Sequence, residues 1–312
     1  MGRELDSAAV RIHRSHGVAA VTLVSGELGA TFVPELNMLG TSLRLGGEEY
    51  LALPGGVGAY RRQHTTGLPL LAPWANRLGS LLYRSGSARV DLAGLRLHAD
   101  GNGLPIHGTL SARDSWEVRA LSARGRRARL HARFDYDRPD LLAAFPFPHV
   151  LEIVIEVDGR SLSIVSSITP TARCSVPVSF GYHPFFRLPR GRRSSWRLRL
   201  PKRRRLELDE RGIPTGRYSI ASAESAPIGD REFDHLFELV GRRTLSLEGD
   251  DRQLRVEYGS GYRFAQVFTP PGGRAVCLEP MTAPTNALVT GECPMVDPGE
   301  TFTARLRITP ER

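Results

Sequence analysis

"HVLEIVIEVDGRSLSIVSSITP", residues 149–170, holds two runs rich in valine and isoleucine that meet at Asp158-Gly159. Alternation of apolar and polar residues turns one face of an extended chain toward a core, and β-branched side chains fit that pleated setting well. Asp-Gly tolerates the positive φ angles of a tight turn. The stretch therefore predicts a hairpin, with strands near 150–157 and 161–168.

The same period of two recurs along the chain. In "RLHARFDYD" (129–137) it aligns Leu130, Ala132, Phe134 and Tyr136, and in "RQLRVEYGS" (252–260) Leu254, Val256 and Tyr258. In "TFTARLRITP" (301–310) Phe302, Ala304, Leu306 and Ile308 share a face opposite Thr303, Arg305 and Arg307. Helical periodicity is confined to short pieces such as "PDLLAAF", and neither a repeat of fixed period nor a Pro/Gly/Ser linker divides the chain. The expectation is an all-β fold, one large antiparallel β-sandwich with few short helices. It forms a single domain over residues 1–312, with the first few residues disordered.

Composition narrows the function classes. A chain of 312 residues with 41% hydrophobic and 24% charged residues can bury a sizeable core. No run approaches the roughly 18 apolar residues of a membrane span, and "MGRELDSAAVRIHRSHG" carries charge where a signal peptide is apolar. A soluble cytoplasmic protein is expected. Cys174, Cys277 and Cys293 are odd in number and lack C-x-x-C spacing, which argues against a disulfide framework or a zinc cage. The net charge is +9, yet Lys202 is the one lysine among 42 basic residues, a bias better ascribed to coding than to a polyanionic partner. Only "RGRRSSWRLRLPKRRRLELDE" (190–210) gathers charge, and it reads as a solvated strand and loop; no nucleic-acid partner is expected.

Four segments carry polar residues that a β core does not require: "LLAPWANRLGS" (70–80), "GNGLPIHGTL" (101–110), "SFGYHPFFRL" (179–188) and "VCLEPMTAPTNAL" (276–288). They supply Asn76, Arg77, His107, His183, Glu279 and Asn286. Glu279 follows an apolar run and precedes Pro280, so it is expected where a buried strand gives way to a rigid turn. There its carboxylate is either a working base, held ionised by Arg77, or a turn cap. His107 lies in a glycine-rich loop open to close approach by a ligand. His183 has Tyr182, Phe185 and Phe186 around it, which suits an aromatic floor under a sugar ring or an imidazole in a core. His183, His107 and Glu279 are far apart with no H-x-x-x-H pair, so no metal is expected. A G-x-S-x-G elbow and a phosphate-binding G-x-x-x-x-G-K loop are both missing.

In this order the "NR", "HG", "GYHPFF" and "EPMT" blocks resemble the signature blocks of the aldose 1-epimerase (galactose mutarotase) family, with weaker likeness in "LDERGIPTGRYS" (208–219) and "FDHLF" (233–237). The resemblance runs from about Gly26 to the last strand. It implies a large antiparallel β-sandwich that interconverts the α and β anomers of a free aldose without metal or organic cofactor. It also implies Glu279 as general base, His183 as a general acid charged near neutral pH, and His107, Arg77, Asp234 and Asn76 as substrate-binding residues. An aldohexose would be the partner, and the chain a monomer or homodimer. Better-known galactose mutarotases carry the acid histidine in an Asn-His-Ser-Tyr-Phe setting. Here it stands in Gly181-Tyr182-His183-Pro184-Phe185, like the epimerase-like branch. Two alternatives stand beside this reading. One is a hexose-6-phosphate mutarotase, which the "RGRR" and "KRRR" arginines could serve; the other is a non-catalytic carbohydrate-binding module on the same fold.

Overall fold

The opening stretch forms the hairpin it predicts, with strands His149–Val157 and Leu162–Pro170 and Val157 facing Leu162 across the turn. Ser161 stays in the turn because its N–H, like that of Arg160, donates to the Asp158 carboxylate, while Gly159 takes φ +84°. The computed structural model describes residues 7–312, so the expectation of disorder over the first few residues falls outside it.

Three antiparallel sheets account for most of the chain. A nine-stranded sheet runs, edge to edge, through Glu224–Pro227, Arg197–Leu200, Thr244–Glu248, Gln253–Tyr258, Phe302–Glu311, Leu162–Pro170, His149–Val157, Arg127–Tyr136 and Glu117–Arg124. A second runs through Pro214–Ala221, Arg203–Leu208, Asp234–Leu239, Phe264–Phe268, Val276–Met281, Gly181–Tyr182 and Leu70–Leu71, and Phe185–Phe186 also pairs with Val276–Met281. A five-stranded sheet spans Ala8–Ser15 to Glu48–Glu49. The helices among the described residues are short, and one of them, Pro139–Leu142, falls in "PDLLAAF". None is long and apolar enough to cross a membrane.

One continuous core joins the sheets. Leu23 and Phe32 of the small sheet, Leu130, Ile155, Leu254 and Leu306 of the nine-stranded sheet, and Phe237, Val267 and Leu278 of the eight-stranded one all belong to it. Each fully buried aliphatic or phenylalanine side chain contributes about 2–3 kcal/mol. The eight-stranded sheet spends only one face on this core. Its other face, bearing Leu71, Leu236 and Met281 at one end and Phe185 and Cys277 at the other, is roofed by loops.

The arginine-rich segment is a loop followed by two strands, one in each large sheet, and several of its charges find partners. Arg203 pairs with Glu224 at 2.8 Å, Arg204 with Glu238 at 2.9 Å, and Arg190 with Glu48 and Asp251 at 3.2 and 3.3 Å.

Candidate active site

The strand Val276–Met281 carries Glu279 in its interior, not at its end as the following proline suggests. Pro280 remains in the ladder opposite Ala265, and pairing continues to Met281. On its other side the strand pairs Met281 with Gly181 and Cys277 with Phe185, and the same count places His183 opposite Glu279. Pro184 lacks an N–H, so the ladder lapses between the two short strands. The imidazole thus stands beside the carboxyl, His183 Nε2 lying 3.5 Å from Glu279 Oε1, with both side chains buried.

Across the next strand Gln266 faces Glu279 and Phe268 faces Cys277, and Asp234 in turn faces Phe268. Side chains alternate between faces, so Glu279, Cys277, Gln266, Phe268 and Asp234 all project from the face turned away from the sandwich core. Gln266 Nε2 donates to Asp234 Oδ1. The ring of Phe185 stacks on His183 with centroids 4.8 Å apart, and Phe268 meets the imidazole edge-on at 6.0 Å. Tyr182 and Phe186 point the other way. Tyr182 shares a 2.8 Å hydrogen bond with Ser166 inside the core, so the aromatic wall is Phe185 with Phe268 and not the whole "GYHPFF" block.

Loops bring the remaining residues. Asn76 and His107 adopt left-handed backbone, φ +58° and +66°, and the His107 N–H donates to the Asn76 carbonyl at 3.0 Å. Such conformations cost roughly 1–2 kcal/mol each for residues with a Cβ, and here they aim polar side chains at the sheet. Gly108 follows at φ +77°, where an added Cβ would lie 2.1 Å from the Ala72 carbonyl oxygen. Asn76 Oδ1 accepts from the Arg77 N–H at 2.9 Å and from Arg77 Nη1 at 3.1 Å. Arg77 Nε donates to Asp100 Oδ2 at 2.7 Å, and Arg77 Nη2 lies 4.0 Å from Asp234 Oδ2. The His107 ring meets His183 edge-on at 5.4 Å. All six residues expected at the site are therefore in one cluster. Asn286 serves the scaffold, its Oδ1 accepting from the Gly79 N–H at 2.7 Å.

Burial governs protonation here. It pushes the Glu279 carboxyl well above the usual carboxylate range, with Asp234 adding to the shift and Arg77 opposing it. It pushes the His183 imidazole down to about 4 and the His107 imidazole well below its usual value. The expectation of a charged His183 is thus corrected, since burial favours the neutral imidazole. Desolvation outweighs the neighbouring carboxyl, and it favours the neutral form of both groups.

The sequence profile of aldose 1-epimerases matches residues 41–309. The chain belongs to the aldose 1-epimerase family. Solved structures similar to this family member include a galactose mutarotase-like protein from Clostridium acetobutylicum, with 18% identity, 98% and 99% of the two chains covered and a TM-score of 0.87. Another is a galactose 1-epimerase from Lactobacillus acidophilus NCFM, at 16% identity, 98% and 99% coverage and a TM-score of 0.79. A third is the aldose epimerase homologue from C. elegans, at 12% identity, 98% and 99% coverage and a TM-score of 0.74. At these identities the likeness is one of fold. No curated protein matches the sequence.

Three members of the epimerase-family cluster escaped sequence reasoning. Asp100 sits in the "ADGNG" turn, where an aspartate before Gly-Asn-Gly reads as a turn former; it does accept from the N–H groups of Asn102 and Leu104 while its other oxygen holds Arg77. Gln266 shares a strand face with Phe264 and Phe268, and an amide at that place in the alternation was the available signal. Cys277 lies two residues from Glu279 and therefore on the same face. A cavity of about 390 Å³ meets the cluster at His107 but is lined by neither Glu279 nor His183. The convergent polar groups, not this cavity, mark the candidate site.

Proposed function

We propose that the chain interconverts the α and β anomers of a free aldose by general acid–base ring opening and reclosure, with Glu279 as base and His183 as acid. The observation that carries this reading is the buried pair at 3.5 Å. The anomeric hydroxyl and the ring oxygen hang on one carbon, so the two proton-transfer groups must stand side by side, as adjacent strands hold them here. Arg77, Asp234, His107 and Asn76 surround the pair and serve as hydrogen-bonding partners of the sugar hydroxyls, while Phe185 and Phe268 supply the apolar wall.

Ring opening starts from carboxylate and imidazolium. Glu279 takes the proton of the anomeric hydroxyl and His183 gives one to the ring oxygen, which leaves carboxylic acid and neutral imidazole beside the open aldehyde. Rotation about C1–C2 and reclosure run the transfers backward from the other face of the carbonyl. Each transfer contributes roughly 10²–10⁴-fold. Burial favours the protonation state that the pair reaches once the ring is open. A bound sugar whose hydroxyls donate to the carboxylate favours its ionised form, and the ionised carboxylate beside it favours the imidazolium.

The hexose-6-phosphate reading gains little from Arg190, Arg203, Arg204 and Arg205, since the first three are held by carboxylates and Arg205 Nη2 donates to His235 at 2.7 Å. The test is saturation-transfer NMR of anomer exchange over a panel of aldohexoses and their 6-phosphates, with Glu279→Gln alongside. Enhanced exchange of a free sugar that drops by about 10²–10⁴-fold in the variant is expected. Exchange at the uncatalysed rate for every sugar would sink the proposal.

A further inference from the structure

We infer that the proton-transfer pair, together with Cys277, forms a binding site for a soft divalent cation of the zinc and cadmium type, and that such a cation excludes sugar from the pocket. A ring nitrogen of His183, Sγ of Cys277 and a carboxylate oxygen of Glu279 all lie within 4.8 Å of one another, and all three residues are buried. Metal–ligand lengths of about 2.0–2.3 Å place the donor atoms of a tetrahedral zinc site roughly 3.3–3.7 Å apart. The 3.5 Å between His183 Nε2 and Glu279 Oε1 already meets that spacing, and Cys277 Sγ, within 4.8 Å of both partners, is at most about 1 Å beyond it.

The backbone fixes the arrangement. Cys277 and Glu279 alternate onto one face of the same strand, and His183 stands opposite Glu279 on the neighbouring one. All three donors rise from the sheet, so the fourth coordination position points away from it, into the space the sugar would fill. Nδ1 of His183 is buried with no hydrogen-bond partner, and Nε2 is the ring nitrogen that faces Glu279.

Charge and ligand type select the cation. Thiolate, carboxylate and neutral imidazole sum to two negative charges, which a divalent ion neutralises inside a desolvated site. A thiolate disfavours magnesium and calcium, which prefer all-oxygen ligands. On binding, the Cys277 thiol and the Glu279 carboxyl each release a proton to solvent and the metal takes the freed electron pairs, with no change of oxidation state. The occupied site has no free base and no free acid, so metal and sugar compete.

The experiment titrates cadmium into the metal-free full chain and follows thiolate-to-cadmium charge-transfer absorption. Zinc affinity is read by competition with a chromophoric chelator, in the presence and absence of sugar. Wild type, Cys277→Ala and Cys174→Ala are compared; alanine suits the apolar surroundings of Cys277, beside Ala275 and Phe185. One equivalent should bind to wild type and Cys174→Ala, and Cys277→Ala should lose the absorption and bind zinc at least about 100-fold more weakly. Absorption that survives in Cys277→Ala, or no binding at one equivalent to wild type, overturns the inference. The absorption does not depend on turnover. Cadmium binding without anomer exchange in any sugar would therefore refute the proposed activity and keep the metal site, and the converse result would do the reverse.

Discussion

Replacing His183 by asparagine separates two properties of the imidazole, that it moves a proton and that it is buried uncharged. In the unfolded chain the ring titrates near 6.5, whereas burial pushes it down to about 4 in the folded protein. Between those values the unfolded state binds a proton that the folded state refuses, so His183 makes stability fall as pH drops from 7 to 4. The gap corresponds to about 3 kcal/mol. Glu279 has the opposite slope, since its raised pKa lets the folded state keep a proton that the unfolded chain gives up above the usual 4.5. His149, stacked on Tyr136 and also pushed down to about 4 by burial, has the same slope as His183. His149 is untouched and Glu279 stays buried in the variant, so the difference between the two proteins reports His183 together with its coupling to Glu279. Urea unfolding of both at pH 7 and pH 4 should show His183→Asn gaining about 3 kcal/mol relative to wild type on acidification. At pH 7 its anomer exchange should fall by about 10²–10⁴-fold with sugar binding retained. Parallel stability curves would refute a neutral buried imidazole, and unchanged exchange would refute its role as acid.

Two further substitutions probe the loops. Asp100→Asn removes the charge that orients Arg77, and the sugar's KM should rise about tenfold while kcat changes little, as expected for weakening a charged hydrogen bond; a loss confined to kcat would contradict that positioning role. Gly108→Ala should destabilise the protein by about 3 kcal/mol or more, because the left-handed backbone and the Ala72 carbonyl leave no room for a methyl group. A thermal midpoint equal to wild type would show that the loop can relax.

Strand faces were legible in the sequence because period-2 alternation reports burial directly. Leu130, Ala132, Phe134 and Tyr136 are all buried, as are Leu254, Val256 and Tyr258. The site blocks were legible as polar residues in segments a β core does not explain. What eluded reading was pairwise and long-range. Nothing local to Glu279 says that its strand continues through Pro280, that position 183 lies opposite, or that Gln266 and Cys277 share its face. The partners of Arg77 and of the arginine-rich strands belong to the same class, since Asp100, Glu224 and Glu238 find them only through the tertiary fold. The charge of His183 eluded reading for another reason. The direction of its pKa shift depends on how completely water is excluded, which composition does not report.

The strand Phe302–Glu311 lies in the middle of the nine-stranded sheet, between Gln253–Tyr258 and Leu162–Pro170. A ribosome delivers this segment after every other strand of that sheet, so until it emerges the sheet exists as two halves with unpaired edges facing each other. Closure of the sandwich is thereby tied to the arrival of this segment, and the nascent chain must keep two complementary edges apart from those of its neighbours on the same message until Phe302–Glu311 joins them.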